Sequence, residues 1–253
     1  MRRLHELRLP EIGERITDRS ILVLPIGAIE QHGPHLPFNT DLVVPERSAE
    51  TLVDRIGDEL DLWLLPSLAV TKSNEHAWAP GTMWLSARTL LSVIEDIGRS
   101  LATLPARKLV FLNGHGGNSA LLNVACRELR LSQGFLTFLA HPMVPPDQGG
   151  PSVDSERGMG VHGGFLETSM MLHLAPDLVR MDLATPAVPD LDHTQVRFGG
   201  PVSFGWLSND FGDEGHIGDP TGATAEAGRD AFEGAVTMLA AAMAEIAAFD
   251  LPR

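Results

Sequence analysis

Apolar runs alternate with amphipathic stretches along this chain, and that alternation limits the folds open to it. Strand candidates are Ile21–Ile26, residues 62–66, Lys108–Asn113 and residues 135–140. Helical spacing marks residues 45–56, 87–104, 119–131, 166–174 and 224–248. In the second of these, Leu90, Ile94, Ile97 and Leu101 share one face, and Thr224 is a ready N-cap for the last. Strands separated by helices of such length indicate βαβ units, hence an α/β fold with a mostly parallel sheet covered on both faces. One domain over residues 1–253 is expected. Folds of this kind place their sites at the carboxyl ends of strands. Residues 144–160 and 185–216, rich in Pro, Gly and Asp, read as functional loops, because long structureless connections are otherwise uncommon.

The charge balance narrows the partners. Lys and Arg total 19 against 33 Asp and Glu, a formal net charge of −14. Nucleic acid and anionic membranes require basic patches, so neither is expected as a partner. Without an apolar leader or an apolar run near the length of a membrane span, a cytoplasmic setting is expected. The single cysteine, Cys126, lies in a helical pattern and reads as a small core residue rather than a nucleophile.

The first apolar run leads straight into Glu30-Gln31-His32, and Asp41 follows nine residues after His32. Carboxylates and imidazoles are costly to bury without partners, and a divalent metal unites both. Glu30 and His32, two apart, face one side of an extended segment, and Asp41 can return through the Pro34/Pro37 loop to bridge two ions. A second island is Ser73-Asn74-Glu75-His76; it has no clear metal spacing, so Ser73, Glu75 and His76 read as pocket wall or substrate contacts. A third is Asn113-Gly114-His115-Gly116-Gly117-Asn118, a turn between strand and helix. His115 at its apex favours a metal ligand. The Gly116 backbone is a candidate substrate contact, since helix N-terminal amides stabilise an oxyanion. A phosphate loop would want a Lys or a G-x-G-x-x-G pattern, and neither is present. The fourth island, His162-Gly163-Gly164-Phe165-Leu166-Glu167-Thr168-Ser169, offers Glu167 in a first helical turn as a metal ligand and His162 just outside it as an acid/base residue. Glu167 could instead simply cap the helix.

Together with Pro25-Ile26-Gly27-Ala28-Ile29, Gly33-Pro34-His35-Leu36-Pro37, Thr40 and Pro80-Gly81-Thr82, these islands resemble the creatininase (creatinine amidohydrolase) family. The resemblance runs through most of the chain in order. It implies a three-layer α/β/α sandwich and two divalent ions per subunit, with Zn expected first and Mn or Fe as alternatives. It also implies hydrolysis of C–N bonds in small cyclic or linear amides, and a homo-oligomer, often a hexamer. The family's ligands fall on Glu30, His32, Asp41 and His115. Two positions depart from creatininase itself. That enzyme has a ligating Glu second after the His of its Asn-Gly-His motif, where this chain has Gly117; Glu167 is therefore expected as the fifth ligand. Creatininase also has Trp-Asp-x-Glu before its His-Gly-Gly, where this chain has Gly158-Met159-Gly160-Val161, so creatinine is not the expected substrate. Members similar in Asn-Gly-His-Gly-Gly-Asn include a formylamino-pyrimidine deformylase and the mycofactocin-maturation peptidase.

The expected chemistry is amide hydrolysis by a metal-activated water, with His162 protonating the leaving nitrogen. Two other readings compete with it: a peptidase trimming a small precursor peptide, which needs a longer groove, and a non-catalytic metal-binding scaffold, which has no use for His162.

Overall fold

A computed structural model describes residues 2–144, 148–191 and 193–251; residues 145–147 and 192, in the two long loops expected from the sequence, lie outside them. Four parallel strands, β1 (Ile21–Ile26), β2 (Leu62–Leu64), β3 (Lys108–Asn113) and β4 (Leu136–Ala140), form one sheet in the order β2-β1-β3-β4. The helices are α1 (Leu9–Arg15), α2 (Thr40–Leu60), α3 (Ala87–Leu101), α4 (Ser119–Gln133), α5 (Phe165–Leu174) and α6 (Ala225–Ala248).

The period-two alternation of the strands builds the layers. Leu22, Leu24, Ile26, Trp63, Leu109 and Phe111 face a core completed by Leu90 and Ile94 of α3 and Leu122 and Leu129 of α4. Their neighbours Ile21, Val23, Leu62, Leu64, Val110 and Leu112 face the opposite core, with Leu52 and Val53 of α2 and Leu239 and Met243 of α6. The fold is therefore α/β, with helices on both faces of a parallel sheet, as the alternation predicts. A third, smaller cluster gathers Met159, Phe198 and Ile217 with the partly buried Phe204, Trp206 and Phe211, so the second long loop carries its own apolar centre.

By length and composition alone α6 is apolar enough to cross a membrane, contrary to the expectation that no segment approaches such a span. Its Phe232, Val236, Leu239 and Met243 are buried, however. It packs against α5 and α2 as a core helix does. Thr224 caps it, accepting from the Ala227 amide at 3.1 Å.

The second helix begins at Thr40 rather than at Pro45, and this moves Asp41 from a loop onto the first helical turn. Proline inside a helix lacks the amide hydrogen that would bond the carbonyl four residues earlier, here that of Asp41. That carbonyl instead lies against the ends of β1 and β3. Side-chain carbons on Gly27 or Gly114 would sit 2.6 Å from it, so glycine at both positions lets the helix start touch the sheet edge.

Candidate metal centre

Ile26 stands opposite Asn113 in the ladder, and the Gly114 amide bonds the Ile26 carbonyl at 2.8 Å. The loops after β1 and β3 therefore leave the sheet side by side, carrying Glu30, His32 and His115 to one place. The start of α2 brings Asp41, the segment before α5 brings His162, and the first turn of α5 brings Glu167. Among the described residues, three sets of donor atoms lie within 4.8 Å of one another: Glu30, His32 and His162; Glu30, Asp41 and His115; and His32, Asp41 and Glu167. The last two share Asp41.

The hydrogen bonds fix which imidazole nitrogen is free. His32 Nδ1 lies 3.1 Å from the Glu30 backbone carbonyl, and His115 Nε2 lies 2.9 Å from the Lys72 carbonyl. A carbonyl only accepts, so each of these nitrogens carries the hydrogen. The opposite nitrogens face the two oxygens of one carboxylate: His32 Nε2 is 3.0 Å from Asp41 Oδ1, and His115 Nδ1 is 2.8 Å from Asp41 Oδ2. A neutral imidazole would set a lone pair against each oxygen. Each gap therefore calls for a cation, either a proton or a metal. Burial alone would lower the His32 pKa, but Asp41 outweighs it and pushes it up to about 9. His115 is likewise held well above the usual range, where Glu30 and Asp41 overcome burial. Asp41, despite its burial, is held well below the ordinary carboxylate range by His32 and His115.

Glu30 is the other sign of a cation site. It is fully buried, and neither carboxylate oxygen has a hydrogen-bond partner among the described residues. The imidazole nitrogens around it are His76 Nε2 at 3.2 Å, His115 Nε2 at 3.3 Å and His162 Nδ1 at 3.7 Å. Burial pushes its pKa up to about 8. Glu167, raised to about 7 by burial and then by Asp41, also accepts from the Gly163 amide, so the capping role and the cluster role coexist. The chemistry of this donor set, oxygen and imidazole nitrogen only, fits zinc, manganese or iron.

His162 donates Nε2–H to the Gln31 carbonyl at 2.6 Å, which leaves Nδ1 bare on the side of Glu30. Burial, then His32 and His76, hold its pKa well below the usual value. The Gln31 side chain sits at the centre of this arrangement, a role the sequence did not reveal. Its Nε2 donates to Gly215 O at 2.9 Å and to His76 Nδ1 at 2.9 Å, while its Oε1 accepts from the Gly33 amide. Nε2–H of His76 therefore faces Glu30, and burial with the nearby His115 pushes the His76 pKa down to about 3.

A cavity of about 410 Å³ opens over the cluster. Glu75, His76 and Gly116, the expected pocket-wall or substrate contacts, line it together with Asp41, His115, His162 and Glu167. Ser73 does not; it is buried beneath, beside Glu30. Lys72, Met143, Val161, Phe204, Trp206 and Leu207 complete a partly apolar wall.

Glu156 is a further residue without a sequence signal. It is buried, and its Oε1 accepts from the amides of Phe165 at 2.8 Å and Asp219 at 3.1 Å, pinning the start of α5. Glu156→Ala leaves two amides unpaired and is expected to cost about 3 kcal/mol in urea unfolding. A loss below roughly 0.5 kcal/mol, the range of an ordinary surface substitution, would contradict this role.

Residues 5–243 match the family model described as Creatininase: Creatinine amidohydrolase. The chain is 34% identical over 243 residues to the mycofactocin precursor peptide peptidase of Mycobacterium ulcerans (strain Agy99), covering 89% of this chain and 88% of that one. It is 36% identical over 199 residues to the creatinine amidohydrolase of Pseudomonas putida, covering 70% of this chain and 71% of that enzyme. A solved creatininase in a manganese form superposes with a TM-score of 0.74 at 31% identity, covering 96% of this chain and 97% of that one. With the parallel sheet and the ordered motifs around one cavity, these likenesses establish that the chain belongs to the creatininase family of hydrolases.

Proposed function

We propose that this protein hydrolyses an amide C–N bond and that two divalent ions would be held for it by Glu30, His32, Asp41, His115 and Glu167. The observation that carries the reading is the pair of imidazole nitrogens, on His32 and His115, that face opposite oxygens of Asp41 across gaps a cation must fill. One ion would be held by Glu30, Asp41 and His115, the other by His32, Asp41 and Glu167. When bound, such a pair polarises a carbonyl and lowers the pKa of a water toward neutrality. His162 does the proton work. Its Nδ1 lone pair accepts a proton from the attacking water, and the Nδ1–H so formed delivers it to the leaving nitrogen. The buried Nε2–H···O=C bond to Gln31 keeps the ring in the tautomer this requires.

For the substrate, a cavity of about 410 Å³ holds a small amide or the end of a short peptide. The apolar wall of Phe204, Trp206 and Leu207 suits an apolar group beside the scissile bond. The peptide reading gains support from the mycobacterial relatives, which match over more of the chain than the creatinine amidohydrolase does. The two classes separate in one screen of zinc-, manganese- or iron-loaded protein against cyclic amides, formamides and short peptides. Turnover of none of them, with both ions bound, would leave the scaffold reading and sink the enzymatic one. On the proposed mechanism His162→Ala lowers kcat by about 10²–10⁴-fold with metal content unchanged; full kcat in that variant would remove His162 from the chemistry.

A further inference from the structure

We propose, building on the metal centre above, that Glu75 is a positioning residue that orients His115 toward its ion. The ring of His115 is gripped from two sides. Its Nδ1 edge faces Asp41. Its Nε2 edge faces Glu30 Oε2 at 3.3 Å and the segment from Lys72 to Glu75, where Nε2–H donates to the Lys72 carbonyl at 2.9 Å and Glu75 Oε1 lies 3.4 Å from the same nitrogen. Glu75 is itself held in place: its other oxygen accepts from the Lys72 ammonium at 2.8 Å, and the residue is only 8% exposed. A carboxylate or carbonyl behind the hydrogen-bearing nitrogen of an imidazole fixes the ring and makes the opposite lone pair a better donor to a metal. Here both are present, and both come from one short turn.

Gly117 is what allows the carboxylate to be there. A side-chain carbon at that position would lie 1.9 Å from Glu75 Oε1 and 2.5 Å from His115 Nε2. The turn from Asn113 to Asn118 contains no acidic residue. The carboxylate that joins Asp41 and Glu30 beside His115 therefore arrives from a different segment, through space that glycine leaves open. A clamp of this kind differs from a substrate contact in what it controls. A contact to substrate sets KM and leaves the ions alone, whereas a group that orients a ligand sets how tightly an ion is held.

The test titrates zinc alone into metal-free protein against a chromophoric chelator. In Glu75→Ala one of the two ions is expected to bind about 10–100-fold more weakly, and the visible spectrum of the cobalt-substituted protein is expected to shift. Gly117→Ala should give the same loss without removing any charge, because the added carbon drives Glu75 and His115 apart. Wild-type zinc affinity in Glu75→Ala, with only KM raised, would overturn the proposal and return Glu75 to the substrate. Should Glu75→Ala fail to fold, Glu75→Gln keeps the volume and removes the charge; unchanged zinc affinity in it overturns the proposal equally. Wild-type protein that binds no zinc, manganese or iron would defeat the metal centre itself, a separate result from either.

Discussion

Asp41→Asn is expected to release both ions and to lower amide turnover by at least roughly a thousandfold, since the several kcal/mol that a metal centre supplies corresponds to that factor. Glu30, His32 and Asp41 each belong to two of the three donor sets, but of the two sets proposed to hold the ions only Asp41 belongs to both. Its oxygens face His32 Nε2 at 3.0 Å and His115 Nδ1 at 2.8 Å, so one side chain completes both positions. An asparagine has no charge to share and turns an amide hydrogen toward one of the two nitrogens. Glu30→Gln provides the contrast: it removes a donor from the His115 side, and one ion is expected to remain. Metal analysis of the purified variants, beside turnover, separates these outcomes. Two ions retained in Asp41→Asn would mean that the bridge is elsewhere.

Much of this site is legible in the order of residues alone, because its members are local and sit at strand ends. Glu30 and His115 follow strands that read as continuous apolar runs, and the parallel register brings the two loops together. What the sequence hides depends on contacts between distant segments. The start of α2 reads as Pro45 because proline opens helices far more often than it continues one. That the helix reaches back to Thr40 depends on Gly27 and Gly114 leaving room for the Asp41 carbonyl, which no local pattern announces. Gln31 carries no signal of its own between Glu30 and His32. Its hub position arises only because residues 76, 162 and 215 converge on its amide. The Ser73–His76 island has the right residue types but no ligand spacing, and its placement against His115 is a property of the packed loops. The missing side chain at Gly117, a departure along the chain, becomes intelligible because Glu75 fills the space it leaves.

The metal-free protein is expected to lose stability as pH rises from about 6.5 to 9, and the metal-loaded protein is not. The sign follows from four groups whose folded pKa lies above the ordinary value, His115 among them. His32 rises from 6.5 to about 9, Glu30 from 4.5 to about 8 and Glu167 from 4.5 to about 7. In each case the folded state holds a proton that the unfolded state has released, so stability falls as pH climbs through the folded pKa. His32 alone contributes roughly 3 kcal/mol at about 1.4 kcal/mol per pH unit. His76 and His35 act in the opposite sense: burial, with repulsion from neighbouring imidazoles, lowers their pKa from 6.5 to about 3 and about 4, so they oppose the trend only below pH 6.5. The interval above 6.5 is therefore the clean one. Divalent ions take the place of these protons and bind more tightly as the protons leave. The gap in Tm between metal-loaded and chelator-treated protein should thus widen steadily from pH 6.5 to 9 in differential scanning calorimetry. A chelated protein whose Tm holds level or rises over that interval would show that the Asp41 gaps are not bridged by protons, and the case for ions in the same positions would lose its footing.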